Sequence, residues 1–582
     1  MKPSRLWWLW TALLIAQPGL QAAPGDLRLS LYATAGDILR HLATDEQRAR
    51  ALRQLGPLPV SRIFLEGRRG DEYVPPALLR TVRGFLEEHG IETAGGIATV
   101  PGSQFGVRQN EGLGWLNWQN PETRADVAAF FTENAPLFEE LIVDDFFCTG
   151  DTSPESGAAR GTRSWGEYRR DLLVSLIDPI MLRPARAANP DIRLILKYPQ
   201  WYDRFHLFGY DPERMSVPFD QIWVGTEVRD PATRRMGFVQ PTEGYMNFRW
   251  LTSVAGDKVT GAWFDHIECG ATHFVDQAFQ SVLAGARELT LFRFGDVMEG
   301  HPGDSLLAQK WGELLVLAGR VRHATREGVV FYKPVNSDPR DNLYLADYLG
   351  MLGLPILPEA SFPSGAGVVF LGAQAAADPA VLTRARAVLQ GGGTVIVTPA
   401  FLRAAGGAAD ELAGLEVGAA SEPVAATQCE VRGRIVTLPM PLDADGAVRQ
   451  LDATVRIMAA VGDRRIPLLA TRPVAGGHVV CLNIRTFSED DFRQAGEWLL
   501  APRALGWSQL ADPVANEVRA LCLAPLGVRF EAPSGVALHL FGSDRCVYNF
   551  HDVPIRFRPD GEPRSLAAKG WVWLTGERHQ VR

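Results

Sequence analysis

The sequence predicts an α/β protein: a parallel (β/α)8 TIM barrel, then a smaller α/β domain, then a short C-terminal β domain. Three observations predict it. Between residues 27 and 320, eight short β-branched or aromatic runs alternate with longer stretches whose apolar residues recur at helical spacing. Three continuous apolar runs then fall between residues 328 and 398, as the strands of a small parallel sheet would. The tail beyond about residue 515 shows the period-two alternation of half-buried strands. The expected boundaries are 24–325 for the barrel, 326–512 for the middle domain and 513–582 for the β domain.

The first barrel strand is expected at 27–32, followed by a helix carrying Ile38, Leu39, Leu42, Ala49, Leu52 and Leu55 on one face. A strand at 61–65, a helix at 76–89 and a strand at 92–99 come next. Asn120 as N-cap and Pro121 at the first helical position open the following helix. Strand four is Leu141-Ile142-Val143-Asp144-Asp145. Ser164 with Glu167 three residues on forms a capping box, and that helix stops before Pro190. Strands at 192–197, 221–224, 261–265 and 288–292 complete the eight, with helices at 272–284 and 306–321. An open doubly wound sheet is the rival topology. It would not bring the late strand-end acids to one shared site, whereas a closed barrel would.

In the middle domain, strands are expected at 328–332, 367–371 and 394–398, and helices at 342–352 and 379–389. Gly391-Gly392-Gly393 separates the second helix from the third strand. Segments 433–439 and 477–484 read as later strands returning to the same sheet, and 535–540 and 546–550 as strands of the tail.

The N-terminus has the layout of a secretory signal peptide: basic Lys2 and Arg5, an apolar run over 6–16, and small residues ending at Ala22-Ala23. This predicts export to the periplasm or the extracellular space. No later stretch offers 18 uninterrupted apolar residues, so stable membrane insertion is not expected. A net charge of −8 over 582 residues gives no reason to expect nucleic acid as partner. Six cysteines are scattered without a C-x-x-C pair, so a zinc site is not supported, and no metal or cofactor is expected. Cys522 with Cys546 is the disulfide to test against six buried thiols.

Side chains at the C-terminal ends of barrel strands converge on one pocket. Here those ends carry Glu66, Asp144 and Asp145, Glu227, and Asp265. Glycosidic cleavage needs such acids: one carboxyl protonates the departing oxygen, while another attacks carbon or activates water. The candidate catalytic residues are therefore Asp144, Asp145, Glu227 and Asp265. Candidate substrate-binding residues at the same mouth are Glu66, Lys197, Tyr198, Gln200, Trp201, Tyr202, Trp263 and His266, with Trp201 and Tyr202 as stacking faces for a sugar. Competing local explanations exist for two acids, since Arg68 and Arg69 adjoin Glu66, and Arg229 and Arg234 follow Glu227. The expected partner is an oligosaccharide or polysaccharide.

The string Ile142-Val143-Asp144-Asp145-Phe146-Phe147 resembles strand-four segments of barrel glycosidases. Together with the order of the three domains and the run Gly391-Gly392-Gly393-Thr394-Val395-Ile396-Val397, it makes the chain similar to glycoside hydrolase family 42 β-galactosidases. The resemblance implies a middle domain of class I glutamine amidotransferase-like fold that supports a homo-oligomer. Gly372-Ala373 stand where an amidotransferase would place its nucleophilic cysteine, so that chemistry is not expected. The family carries Asn-Glu after strand four and Glu after strand seven; Asp144-Asp145 and Asp265 hold those places here. Two alternatives stay open beside hydrolysis. One is a non-catalytic carbohydrate-binding or assembly protein on the same barrel. The other is a metal-dependent deacetylase, which would need a His-x-x-x-His pair, whereas His266 and His273 lie seven apart.

Overall fold

The computed structural model describes residues 27–110, 113–233, 239–495 and 505–576. The expected signal segment and Arg234 lie outside the described residues. Eight strands form the barrel: β1 (Arg28–Ala33), β2 (Val60–Arg69), β3 (Glu92–Ala98), β4 (Glu140–Val143), β5 (Arg193–Tyr198), β6 (Gln221–Gly225), β7 (Val259–Asp265) and β8 (Glu288–Phe292). Each pairs in parallel with its sequence neighbours, and β1 pairs with both β2 and β8, so the sheet is closed. Strands buried on both faces account for the near-continuous apolar runs.

The interior is filled by Tyr32, Phe64, Ala94, Ile142, Ile195, Trp223 and Trp263. Bulky rings leave no room elsewhere: a Cβ on Gly261 would stand 2.0 Å from the Trp223 ring, so β7 needs glycine there. At the N-terminal end, Arg62 neutralises Glu140 at 2.5 Å and faces Glu288 at 3.6 Å. The capping signals form as read, with Asn120 accepting from the Glu122 amide at 2.9 Å and Ser164 and Glu167 capping reciprocally.

The middle domain is a nine-stranded mixed sheet. Five strands run parallel in the order Ile356–Glu359, Val329–Tyr332, Val368–Leu371, Thr394–Val397 and Gly477–Leu482. Arg464–Val474, Thr454–Val461, Pro423–Val431 and Arg434–Asp445 extend it antiparallel. The expected 433–439 strand is thus part of a longer hairpin. Its partners bury only one face, which weakens the apolar signal that marks the parallel strands. The tail begins with a helix, Asp512–Leu523, rather than a strand. Its main sheet joins Arg326–Glu327, just past the barrel, to Val536–Phe541, Asp544–Asn549 and Trp571–Leu574. All six cysteines are free: Cys522 sits in the helix, Cys546 in a strand, and no disulfide joins them. Among the described residues, no helix is long and apolar enough to cross a membrane.

Barrel and middle domain meet through buried polar contacts. Trp250 Nε1 donates to the Lys333 carbonyl at 2.9 Å, Tyr202 Oη to Asp347 at 2.7 Å, and Arg204 forks onto Glu489 at 2.7 and 2.8 Å. Glu243, at the start of helix Glu243–Ala255, is buried with neither carboxylate oxygen hydrogen-bonded. Burial, and then the neighbouring Asp347 and Glu227, push its pKa well above the carboxylate range. A carboxyl whose folded pKa is raised stabilises fully below its unfolded pKa, and that stability is lost as pH rises toward the folded one. Glu243→Gln removes the titration. Its melting temperature should therefore rise relative to the parent as pH goes from 4 to 8, by about 2–4 °C for each 1 kcal/mol of relief. Scanning calorimetry across that range checks it, and a pH-independent difference would refute it.

Candidate active site

The acids at the strand ends share one network of cations. Asp144 and Asp145 follow β4 and face different ways, because the Asp144 amide still bonds the Ile97 carbonyl at 2.9 Å while the Asp145 amide turns onto Asp144 Oδ1 at 2.8 Å. Asp144 meets Arg69 Nη2 at 2.8 Å. Asp145 meets Lys197 Nζ at 2.6 Å, and the same ammonium lies 2.8 Å from Glu227 and 3.6 Å from Asp144. Lys197 projects from the end of β5 over the face of Trp263, 4.5 Å from its ring centre. Trp263 in turn packs against Tyr32 at 4.5 Å and Phe292 at 5.5 Å, making the floor of the mouth.

Glu66 is deeper and saturated. It accepts from Tyr32 Oη at 2.7 Å, the Ala35 amide at 2.8 Å, and Arg69 Nε and Nη2 at 3.0 and 2.8 Å. A bulge in β2 between Glu66 and Arg68 makes this possible. The extra residue shifts the alternation, so that Glu66 and Arg69 both reach the mouth. Arg68 instead lies over the rings of Tyr73 and Phe105, at 4.7 and 4.8 Å. On the far side, Asp265 ends β7 and is gripped by Arg229 through contacts of 2.7 and 2.8 Å, with the Ile267 amide donating at 2.9 Å. Arg229 thus serves Asp265, not Glu227.

Of the remaining candidates, Gln200 and Trp201 are half-buried on the loop after β5, and Trp201 stacks on Trp115 with centroids 5.8 Å apart. Three others stand outside the cluster. Tyr198 Oη pairs with Ser216 at 3.0 Å and Tyr202 with Asp347 of the middle domain, while His266 stacks on Phe274 and bonds Asp304 at 2.8 Å. Sequence reasoning did not single out Trp115 or assign Arg69 and Arg229 to Asp144 and Asp265. The Gly67-Arg68-Arg69 run after Glu66 carried a bulge signal for the first of these arginines.

Among the described residues, five carboxyls (Glu66, Asp144, Asp145, Glu227, Asp265) face three cations (Arg69, Lys197, Arg229), so the cluster tends to hold protons. Burial pushes Asp145 up to about 8 against the pull of Lys197, with Asp144 and Glu227 adding to the rise. Burial opposes ionisation of Asp144 too, yet Lys197 and Arg69 together hold it below the usual range. Asp265 is pushed up to about 6 by burial, which with Glu227 outweighs Arg229. Asp145 is the most accessible of the acids around Lys197, with its side chain 13% exposed against 2% for Asp144 and 6% for Glu227. Two titratable carboxyls with separated pKa values, one of them partly exposed, are what acid–base cleavage requires.

A family model described as "probable glycosyl hydrolase, catalytic domain" matches residues 20–313. The chain belongs to this glycosyl hydrolase family. An uncharacterized protein of Saccharolobus solfataricus is 26% identical over 367 residues, which cover 57% of this chain and 60% of that protein, so the match spans less than two thirds of that relative. The fold of this glycosyl hydrolase is that of a β-galactosidase from Bacillus circulans sp. alkalophilus, with a TM-score of 0.63 at 12% identity over 95% of this chain and 99% of the other. It is also that of a family 42 β-galactosidase from G. stearothermophilus, with a TM-score of 0.62 at 11% identity over 95% and 98%. An α-L-fucosidase from Paenibacillus thiaminolyticus matches with a TM-score of 0.58 at 11% identity over 94% and 98%.

The Arg229–Asp265 pair is buried on both sides, so removing one partner strands a charge. Arg229→Met should cost roughly 3–5 kcal/mol at pH 8. The loss should shrink at pH 5, where Asp265 holds its proton. Thermal melts at the two pH values check the difference.

Proposed function

We propose that this glycosyl hydrolase is exported and cleaves an oligosaccharide or polysaccharide, with Asp145 as proton donor and Asp265 as the opposing carboxylate. The observation that carries the reading is the pair of acids at the ends of β4 and β7, in one cluster with more carboxyls than cations. Asp145 is protonated below about 8 and is the most exposed of the acids around Lys197, as suits the donor to a leaving oxygen. Asp265 ionises above about 6, and its fork with Arg229 fixes the carboxylate in one orientation. Asp144 stays ionised and holds Arg69 beneath the site. The half-buried Trp201, backed by Trp115, offers a flat apolar face on which a sugar ring would rest. The layout of residues 1–23 supports export.

The direct test is a panel of aryl glycosides and glycans with the purified protein. Asp145→Asn and Asp265→Asn should each lower kcat by about 10²–10⁴-fold while sugar binding persists. Binding without turnover by the unaltered protein would favour the non-catalytic reading. The signs of the two shifts also fix the pH profile. Activity should rise as Asp265 loses its proton near pH 6 and fall as Asp145 loses its own near pH 8, giving a bell with its maximum near 7. A kcat/KM profile with no alkaline limb would remove Asp145 from the donor role.

A further inference from the structure

Glu227 shares with Asp145 the cation that holds it. Its Oε1 accepts from Lys197 Nζ at 2.8 Å, the ammonium that lies 2.6 Å from Asp145. Arg229, which grips Asp265, feels the charge of Glu227 as well. The other oxygen, Oε2, is buried without a hydrogen-bond partner. It lies over the last residue of β6, where a Cβ on Gly225 would come within 2.4 Å of it, so the bare glycine gives this carboxylate its room. Leaving a buried carboxylate oxygen unsatisfied costs stability, and packing alone gives no return for it.

We infer that Glu227 is a positioning residue: it takes up the charge of Lys197, leaving Asp145 to act as proton donor where an aspartic acid beside a lone ammonium would be ionised. This rests on the reading of Asp145 as donor. Every charged group facing Glu227 enters the balance: Lys197 from β5, Asp144 and Asp145 beyond β4, Arg229 on its own loop, Asp265 from β7, and Glu243 from helix Glu243–Ala255. Glu243, held in its neutral form, adds no charge near neutrality. With the Glu227 carboxylate in place, the three cations Arg69, Lys197 and Arg229 are met by Asp144, Glu227 and Asp265, and no net positive field remains to draw the proton from Asp145. Without it, the whole ammonium falls on the two aspartates.

The test is an infrared pH titration of the full chain, reading the protonated-carboxyl band that Asp145→Asn deletes, beside kcat/KM profiles where a substrate is in hand. Glu227→Gln keeps the shape and an acceptor for Lys197 but removes the charge. The midpoint of the Asp145 band, and with it the alkaline limb, should drop by about 1–2 pH units. Glu227→Asp, which restores the charge, should return the midpoint toward the parent value. Lys197→Met should move it upward, and this variant serves if Glu227→Gln does not fold. A uniform fall in activity with a stationary midpoint would overturn the inference, as would a Lys197→Met midpoint that does not rise. The two readings fail separately: full activity in Asp145→Asn removes the donor, whereas an inactive Asp145→Asn with an unmoved Glu227→Gln midpoint removes only the role of Glu227.

Discussion

A single ammonium, Lys197 Nζ, lies within 4 Å of three carboxylates from two strand ends, and the mouth of the barrel is arranged around it. It is 2% exposed, so water does little to screen it, and it contacts Asp145, Glu227 and the Trp263 face at once. Lysine suits this place where arginine would not. Its three donors diverge from a point, while a planar fork would commit two of them to one carboxylate. The arginines take the paired roles instead, Arg69 across Glu66 and Asp144 and Arg229 onto Asp265. The division of labour leaves a cluster that is short of positive charge at its centre. Protons make up the shortfall, and Asp145, the most exposed acid around the ammonium, holds one of them up to about pH 8.

The barrel explains why these groups can meet at all. Residues from 66 to 265 are brought to one end because parallel strands all present their C-terminal ends there. The opposite end treats charge differently: Arg62 sits between Glu140 and Glu288 and stacks on Phe64 at 4.4 Å, and Arg193 pairs with Glu140 at 2.8 Å, so two arginines answer the two acids. Charge is thus balanced at that end and left with an excess of acids at the other.

The strands and their order were legible in the sequence because burial on both faces writes continuous apolar runs, and the acids were legible because they interrupt those runs at their ends. Asp144 and Asp145 after Leu141-Ile142-Val143 are the clearest case. What could not be read was which charge answers which. Arg229 lies two residues from Glu227 yet serves Asp265 from another strand, and Arg69 reaches Asp144 only because β2 bulges at Gly67. Tyr202 stands beside Trp201 in sequence, but it bonds Asp347 of the middle domain while Trp201 stacks on Trp115. Neighbours in sequence predict pairing on a helix surface, whereas in a barrel mouth the partner comes from the adjoining strand. The antiparallel half of the middle sheet was harder still, since one-face burial leaves only alternation to follow.

The middle domain bears on the site through helix Glu243–Ala255. Asn247 on this helix donates to the carbonyls of Pro199 and Gly225, at 2.9 and 2.8 Å, and so ties together the ends of β5 and β6, from which Lys197 and Glu227 arise. The same helix is held from outside by Trp250 on the Lys333 carbonyl, and the preceding Thr242 hydroxyl bonds the Asp347 carbonyl at 2.6 Å. A short ion pair such as Lys197–Glu227 keeps its geometry only if the two strand ends do not drift. In this chain the clamp that prevents drift is itself anchored in the second domain. The barrel therefore supplies the acids, while the precision of their spacing depends on contacts made outside it.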